Sequence, residues 1–194
     1  MLGKIDKSII YRDIRKSEES SRVLDDSKDK NDYSILERIT TELGKVGVEV
    51  ISGLEYMGDF LPPKGVLTKN KPSFTQREDI NFGFKIAKNI AKMDIGQTVV
   101  VKNRSIVSVE AMEGTSRTIE RAAMLCGEGF TVVKVSRPEQ DMRWDVPVVG
   151  PETIRLIAEN KGKTLAIEEK RMFLVEKDAC ISLADKNNIS IVVM

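Results

Sequence analysis

Between Gly96 and Met194 the chain alternates short β-branched runs with amphipathic segments of helical spacing, and this alternation constrains the fold more than any other feature. Strand patterns fall at residues 97–102, 105–111, 130–135, 164–168, 172–175 and 190–193. Helical spacing falls at 117–125, 152–160 and 177–187. Asn103-Arg104 separates the first two strands by a hairpin's length, and Gly127 or Gly129 ends the first of these helices. Strands alternating with helices of this length predict an α/β layer with right-handed crossovers and a mixed sheet flanked by helices.

The earlier sequence is thinner in core-forming residues. Ile9-Ile10-Tyr11 is a short apolar patch, and residues 13–32 are mostly charge and Ser, the composition of a solvated or disordered run. Residues 33–43 have helical spacing, with Ile35, Leu36, Ile39 and Leu43 on one face and Asp32 or Ser34 as cap. A strand is expected at 46–51, and a short amphipathic piece at 54–61 stops at Pro62-Pro63. Residues 64–72 form a basic connector whose lysines, Lys69 and Lys71 among them, either grip an anion or are simply solvated. Ser73 or Thr75 then caps a helix reaching Lys92. The resulting division is a partial N-terminal α/β domain with its connector (1–72), a linking helix (73–95) and a C-terminal α/β domain (96–194).

Composition removes several function classes. A net charge of +1, from 31 basic and 30 acidic residues, argues against nucleic acid as a partner, since that affinity rests on excess positive charge. No apolar run reaches a membrane span's length. Cys126 and Cys180 lie far apart in helix-like patterns, as buried thiols of a reducing compartment would. The chain contains no histidine, which excludes imidazole bases, His triads and His zinc sites and leaves carboxylates, Lys, hydroxyls or an oxygen-bound metal.

Three turns gather the polar residues. Glu110-Ala-Met-Glu113-Gly114-Thr115 is either an ordinary helix cap or a phosphate cradle made by Gly114, Thr115 and free N–H groups. The loop from Lys134 to Pro151 holds Gln140, Asp141, Arg143, Asp145 and the single Trp on a strand-to-helix connection. Asp141 and Asp145 either share a divalent cation such as Mg²⁺, with Lys134, Arg137 or Arg143 on phosphate oxygens, or form an Asp–Arg network that locks the loop. Glu168, at a strand end, carries almost no signal alone.

In sequence order, the stretch from Gly65 through Lys71-Pro72, Asp79-Ile-Asn-Phe-Gly-Phe-Lys-Ile-Ala-Lys88, Asp94-Ile-Gly-Gln97 and its Val run, Glu110 to Thr115, and Lys134 to Gly150 resemble the metal-dependent UDP-2,3-diacylglucosamine pyrophosphatases of lipid A synthesis. The resemblance covers roughly residues 30–194 and is most specific at Gln140-Asp-Met-Arg-Trp-Asp-Val-Pro147. It implies two α/β domains with a lipid between them, and hydrolysis of UDP-2,3-diacylglucosamine to 2,3-diacylglucosamine 1-phosphate (lipid X) and UMP. Water would attack the α-phosphorus. By the same resemblance Asp141 is the essential residue, holding Mg²⁺ or another divalent cation with Asp145 or orienting the water. Gln97, Glu110, Glu113, Gly114, Thr115, Gln140 and Arg143 would line the cleft, and Lys69, Lys71 and Lys134 would neutralise pyrophosphate. The location implied is cytoplasmic, with at most peripheral contact at the inner membrane.

The chain departs from that family in three places. It begins part-way through the family's first domain, which implies a fragment, one half of a split enzyme whose N-terminal half is separate, or a remnant. Ser116 replaces an acidic residue, and Glu169-Lys170 replaces a small Ala-Gly pair. Three readings therefore stand: a hydrolase half, a nucleotide- or phospholipid-binding α/β domain without catalysis, and an inactive remnant.

Overall fold

The computed structural model describes residues 32–194, with side-chain surroundings from residue 36 onward. The chain divides into two compact units, one up to Ile51 and one from Ser52 to Met194. The expectations for the first 31 residues, including the Ile9-Ile10-Tyr11 patch, lie outside the described residues.

In the first unit the described residues form helix α1, Asp32–Lys45. Leu36, Ile39 and Leu43 are half-buried on one face while Glu37 and Thr41 are exposed, as the spacing predicts. Residues 46–51 are not the expected strand. Val46 and Ile51 are 75% and 52% exposed, and the described residues of this unit supply no strand whose backbone could pair with them.

The second unit holds β1 (Gly65–Val66), α2 (Phe74–Lys92), β2 (Thr98–Lys102), β3 (Ser105–Val109), α3 (Gly114–Cys126) and β4 (Thr131–Lys134). There follow β5 (Val148–Val149), α4 (Pro151–Glu159), β6 (Thr164–Ile167), β7 (Phe173–Leu174), α5 (Lys177–Lys186) and β8 (Ser190–Val193). Six strands form one mixed sheet in the order β1-β8-β6-β4-β2-β3. Strands β4, β6 and β8 are parallel, while β2 runs antiparallel to β4 and to β3, and β1 antiparallel to β8. The parallel strands are buried on both faces, which is why they read as continuous β-branched runs without polar alternation.

The two faces are covered unequally. Helices α3, α4 and α5 set Ile119, Ile154, Ile157 and Cys180 against Val100, Val132, Leu165 and Ile191 on one side. On the other, α2, alone among the described helices, packs Ile80, Ala87 and Ala91 onto Val99, Val101, Val133 and Ala166. A Cβ on Gly83 would lie 2.7 Å from a Val101 methyl and 2.9 Å from one of Val133, so glycine lets α2 lie close to the sheet. Ser73, the first of the two caps considered, forms a reciprocal capping box with Gln76. Asn103 and Arg104 have φ of 51° and 57°, the positive pair that a two-residue hairpin turn requires. Buried Asp79 accepts both of their backbone N–H groups, at 3.2 and 2.6 Å, tying α2 to the hairpin.

Four expectations need correction. The 64–72 connector contributes edge strand β1, whose two residues are too short to show a period. Residues 54–61 carry two short 3-10 turns, Gly53–Glu55 and Gly58–Phe60, rather than one amphipathic piece, and the Phe60 ring meets Phe173 edge-on at 6.1 Å. The strand expected at 172–175 pairs with β5 in a separate two-stranded parallel sheet. Cys180 is buried, and burial foremost pushes its thiol up to about 12, but Cys126 at the end of α3 is only half-buried.

Candidate functional site

Because β4, β6 and β8 point the same way, their carboxyl ends share one edge of the sheet, joined by the start of β2 and the end of β3. Strand β4 sits where the sheet changes from parallel to antiparallel. Open α/β sheets bind ligands in the crevice outside strand carboxyl ends. Here a cavity of about 280 Å³ opens between Gly96, Gln97, Glu110, Lys134, Gln140 and Asp145, with Ala111 and Pro147 completing its wall. Five of the residues singled out from the sequence thus meet at one place. Gly96 makes the junction possible, since a Cβ there would fall 2.0 Å from the Glu110 carbonyl oxygen.

From the cavity wall a short chain of bonds runs from backbone to cation through Thr115, which does not itself line the cavity. The Glu110 carboxylate accepts from the Gln97 N–H (3.2 Å) and the Thr115 hydroxyl (2.8 Å). That hydroxyl in turn accepts from Lys134 Nζ at 3.0 Å. Burial pushes the Lys134 ammonium below its usual pKa, an effect the Glu110 charge partly offsets. Helix α3 begins at Gly114, with φ of 78°, three residues earlier than its spacing suggests. Thr115 does not cap it: Glu113 holds the cap position without a side-chain bond, and Thr115 serves the Glu110–Lys134 link instead. The ordinary-cap reading of this turn therefore does not hold. Glu113 is turned onto Arg121, whose hydrogen bond foremost keeps its carboxyl below the usual range, and it is not part of the cavity wall.

The loop after β4 is knitted to itself. Gln140, 6% exposed, accepts from Arg137 N–H at 2.8 Å and donates to the Asp145 carbonyl at 2.5 Å. Arg137 reaches Asp145 at 2.6 Å and also pairs with Asp94. Asp141 accepts from the Arg143 backbone N–H and from Nε at 3.0 Å each, and its carboxyl is held below the usual range chiefly by the Arg143 side chain. Ser52 Oγ donates to the Met142 carbonyl at 3.2 Å, fixing the loop's outer turn. Of the two readings of the Asp pair, the Asp–Arg network is the arrangement present.

Lys69 and Lys71 do not join this cavity. Both are exposed, and the Lys69 N–H donates to Asp185 at the end of α5, at the edge where β8 begins rather than ends. Conversely, sequence reasoning gave Glu168 almost no weight and passed over its partners Lys88 and Ser136, and Arg171. The Glu168 carboxylate, one residue past the Ile167 that pairs with Lys134, accepts from Lys88 Nζ and from both the N–H and hydroxyl of Ser136. Only the strand-end position of Glu168 hinted at this, because its partners are far away in sequence.

The described residues do not by themselves fit a divalent cation. Asp141 and Asp145 each face an arginine, and no group of three or more His, Cys, Asp or Glu gathers among the described residues.

A family model described as the LpxI C-terminal domain matches residues 63–192. That span contains the whole cavity and the loop beyond it. The chain belongs to the LpxI family. The UDP-2,3-diacylglucosamine pyrophosphatase LpxI of Caulobacter vibrioides is 32% identical over 165 residues, covering 80% of this chain. The chain spans 59% of the length of that relative. Glu169 and Lys170 lie on the turn after β6, where Lys170 adopts a φ of 58° and points its side chain into solvent. Among the described residues no helix is long and apolar enough to cross a membrane.

Proposed function

We propose that this chain carries the phosphate-binding and catalytic half of a UDP-2,3-diacylglucosamine pyrophosphatase, active together with a further N-terminal α/β portion. The observation that carries the proposal is the Lys134–Thr115–Glu110 chain at the carboxyl-edge cavity of an LpxI C-terminal domain. In the reaction, water adds its oxygen to the α-phosphorus and the bond from that phosphorus to the bridging oxygen breaks. UMP leaves with the water oxygen, and the bridging oxygen stays on 2,3-diacylglucosamine 1-phosphate.

Lys134 is suited to meet pyrophosphate oxygens, because a desolvated ammonium in a cavity gains more from an anion than from water. Glu110 fixes the Thr115 hydroxyl beside it, and the first N–H groups of α3 add partial positive charge. Asp141, ionised well below neutrality, is the carboxylate assigned to the water or to a cation, once Arg143 moves to the substrate phosphates. The divalent cation is proposed on the family resemblance alone, since the described residues hold their carboxylates on arginines. A cytoplasmic protein meeting its lipid at the inner membrane surface completes the proposal.

The test is release of UMP from UDP-2,3-diacylglucosamine in ¹⁸O-water, with and without Mg²⁺ and an added N-terminal portion. Label in UMP, lost in Asp141→Asn while UMP still binds, supports the assignment; label in the lipid product overturns it. One observation favours a second reading. Asp141 and Asp145 both rest on arginines, so a domain that binds the nucleotide without hydrolysing it is the alternative. UMP binding with no turnover under every condition would select it.

A further inference from the structure

Four residues outside the cavity hold the loop that carries Asp141, and three of them are ionic. Ser136, fully buried, is the second residue after β4, and each of its polar atoms is engaged. Its N–H and hydroxyl donate to Glu168 Oε2 at 2.9 and 2.8 Å. Its carbonyl accepts from Lys88 Nζ at 2.9 Å, and its hydroxyl oxygen accepts from Arg171 Nε at 2.6 Å. Arg171 then continues along the chain, its Nη2 donating to the carbonyls of Arg137 (3.0 Å) and Pro138 (3.2 Å). Lys88 and Glu168 are themselves paired at 2.9 Å, with side chains 25% and 12% exposed.

None of Lys88, Ser136, Glu168 or Arg171 lines the cavity. Half-buried ions with no ligand to meet are a poor way to stabilise a fold, because desolvation offsets most of their attraction. What such a cluster does supply is one allowed geometry, since every donor and acceptor has a fixed counterpart. The cluster grips residues 136–138, and Gln140 and Arg137 relay that grip to Asp145.

Building on the pyrophosphatase reading, we propose that Glu168 and Arg171 are positioning residues: from the turn after β6 they set the place of the 136–145 loop and hence of Asp141, without touching substrate. Arg171 is the sharper probe, being half-buried on a turn and bonded to two main-chain carbonyls that its removal leaves to solvent.

The experiment uses Trp144, the only Trp of the chain, which sits in the loop and reports its geometry without any assay of activity. In Arg171→Ala the thermal transition stays cooperative, Trp144 becomes about twofold or more easier to quench with acrylamide, and kcat for UMP release falls about 10-fold or more with KM within about twofold, as a displacement near 1 Å would produce. Arg171→Lys, which keeps the charge and one donor, recovers part of both signals. Glu168→Gln, equal in shape, gives the same pattern and carries the test if Arg171→Ala fails to fold. Parent-like quenching and kcat in both Arg171→Ala and Glu168→Gln overturn the proposal, as does a loss in KM alone. If the parent releases no UMP even with Mg²⁺ and the added N-terminal portion, the pyrophosphatase reading fails separately and Trp144 quenching alone decides the positioning role.

Discussion

Gly96→Ala tests whether the cavity depends on the closest backbone approach beside it. The added methyl would lie 2.0 Å from the Glu110 carbonyl oxygen and 2.6 Å from its carbonyl carbon. Real Cβ contacts do not fall below 3.0 Å, so the two segments must separate by about 1 Å. Backbone, not a flexible side-chain tip, has to yield. Overpacking of this kind costs about 1–3 kcal/mol, equivalent to a Tm drop of about 2–12 °C in a domain of this size. The local effect exceeds the global one: the Gln97 N–H to Glu110 bond, at 3.2 Å, stretches beyond hydrogen-bonding range, and Glu110 no longer anchors Thr115 beside Lys134. Differential scanning fluorimetry and UMP titration measure the two effects. Gly58→Ala, whose Cβ would meet nothing within 4 Å, is the control. A Gly96→Ala protein matching that control in both Tm and UMP affinity would refute the reasoning.

Further outcomes follow from the same geometry. Asp79→Ala strips two hairpin N–H groups of their acceptor and should cost about 2 kcal/mol, or about 4–8 °C in Tm, while UMP affinity stays unchanged because that turn lies at the opposite edge from the cavity. Lys134→Met should weaken UMP binding by about 10-fold or more, the loss of one charge-assisted hydrogen bond. In the parent, UMP affinity falls as pH rises through the depressed Lys134 pKa, beginning below the ordinary 10.5. The unligated fold gains stability over the window from that pKa up to 10.5, since there the unfolded chain binds the extra proton. Calorimetric titration across pH checks the first dependence and denaturant melts the second, and in Lys134→Met both flatten.

What the sequence reveals here is mostly local in origin. The Asn103-Arg104 hairpin, the Ser73 capping box and the buried parallel strands each arise from residues a few positions apart, so spacing predicts them. The meeting of Gln97, Glu110 and Lys134 was legible only through the family resemblance; its physical cause is that antiparallel β2 with parallel β4 brings those strand ends to one edge. The Glu168 cluster was not, since its partners come from α2, the β4 end and the turn after β6, and no periodicity encodes that meeting. The Asp–Arg pairs at Asp141 and Asp145 also needed coordinates, because a cation site would use identical residues. Lys69 and Lys71 misled for the opposite reason: a basic run close to a motif in sequence emerges at the far edge of the sheet.

The pairing of β1 with β8 has a consequence for how the chain is made. Gly65 faces Val193 and Val66 faces Val192, so the edge strand waits for almost the entire unit to be synthesised before its partner exists. At translation rates of about 5–20 residues per second that delay is on the order of ten seconds. During it the β2–β3 hairpin and the α3 crossover can form from local contacts, but the β8 slot between β1 and β6 stays open to any passing extended segment. The hazard therefore falls on the last strand to pair, and a holding chaperone that covers the open slot should raise the soluble yield more than core stabilisation would.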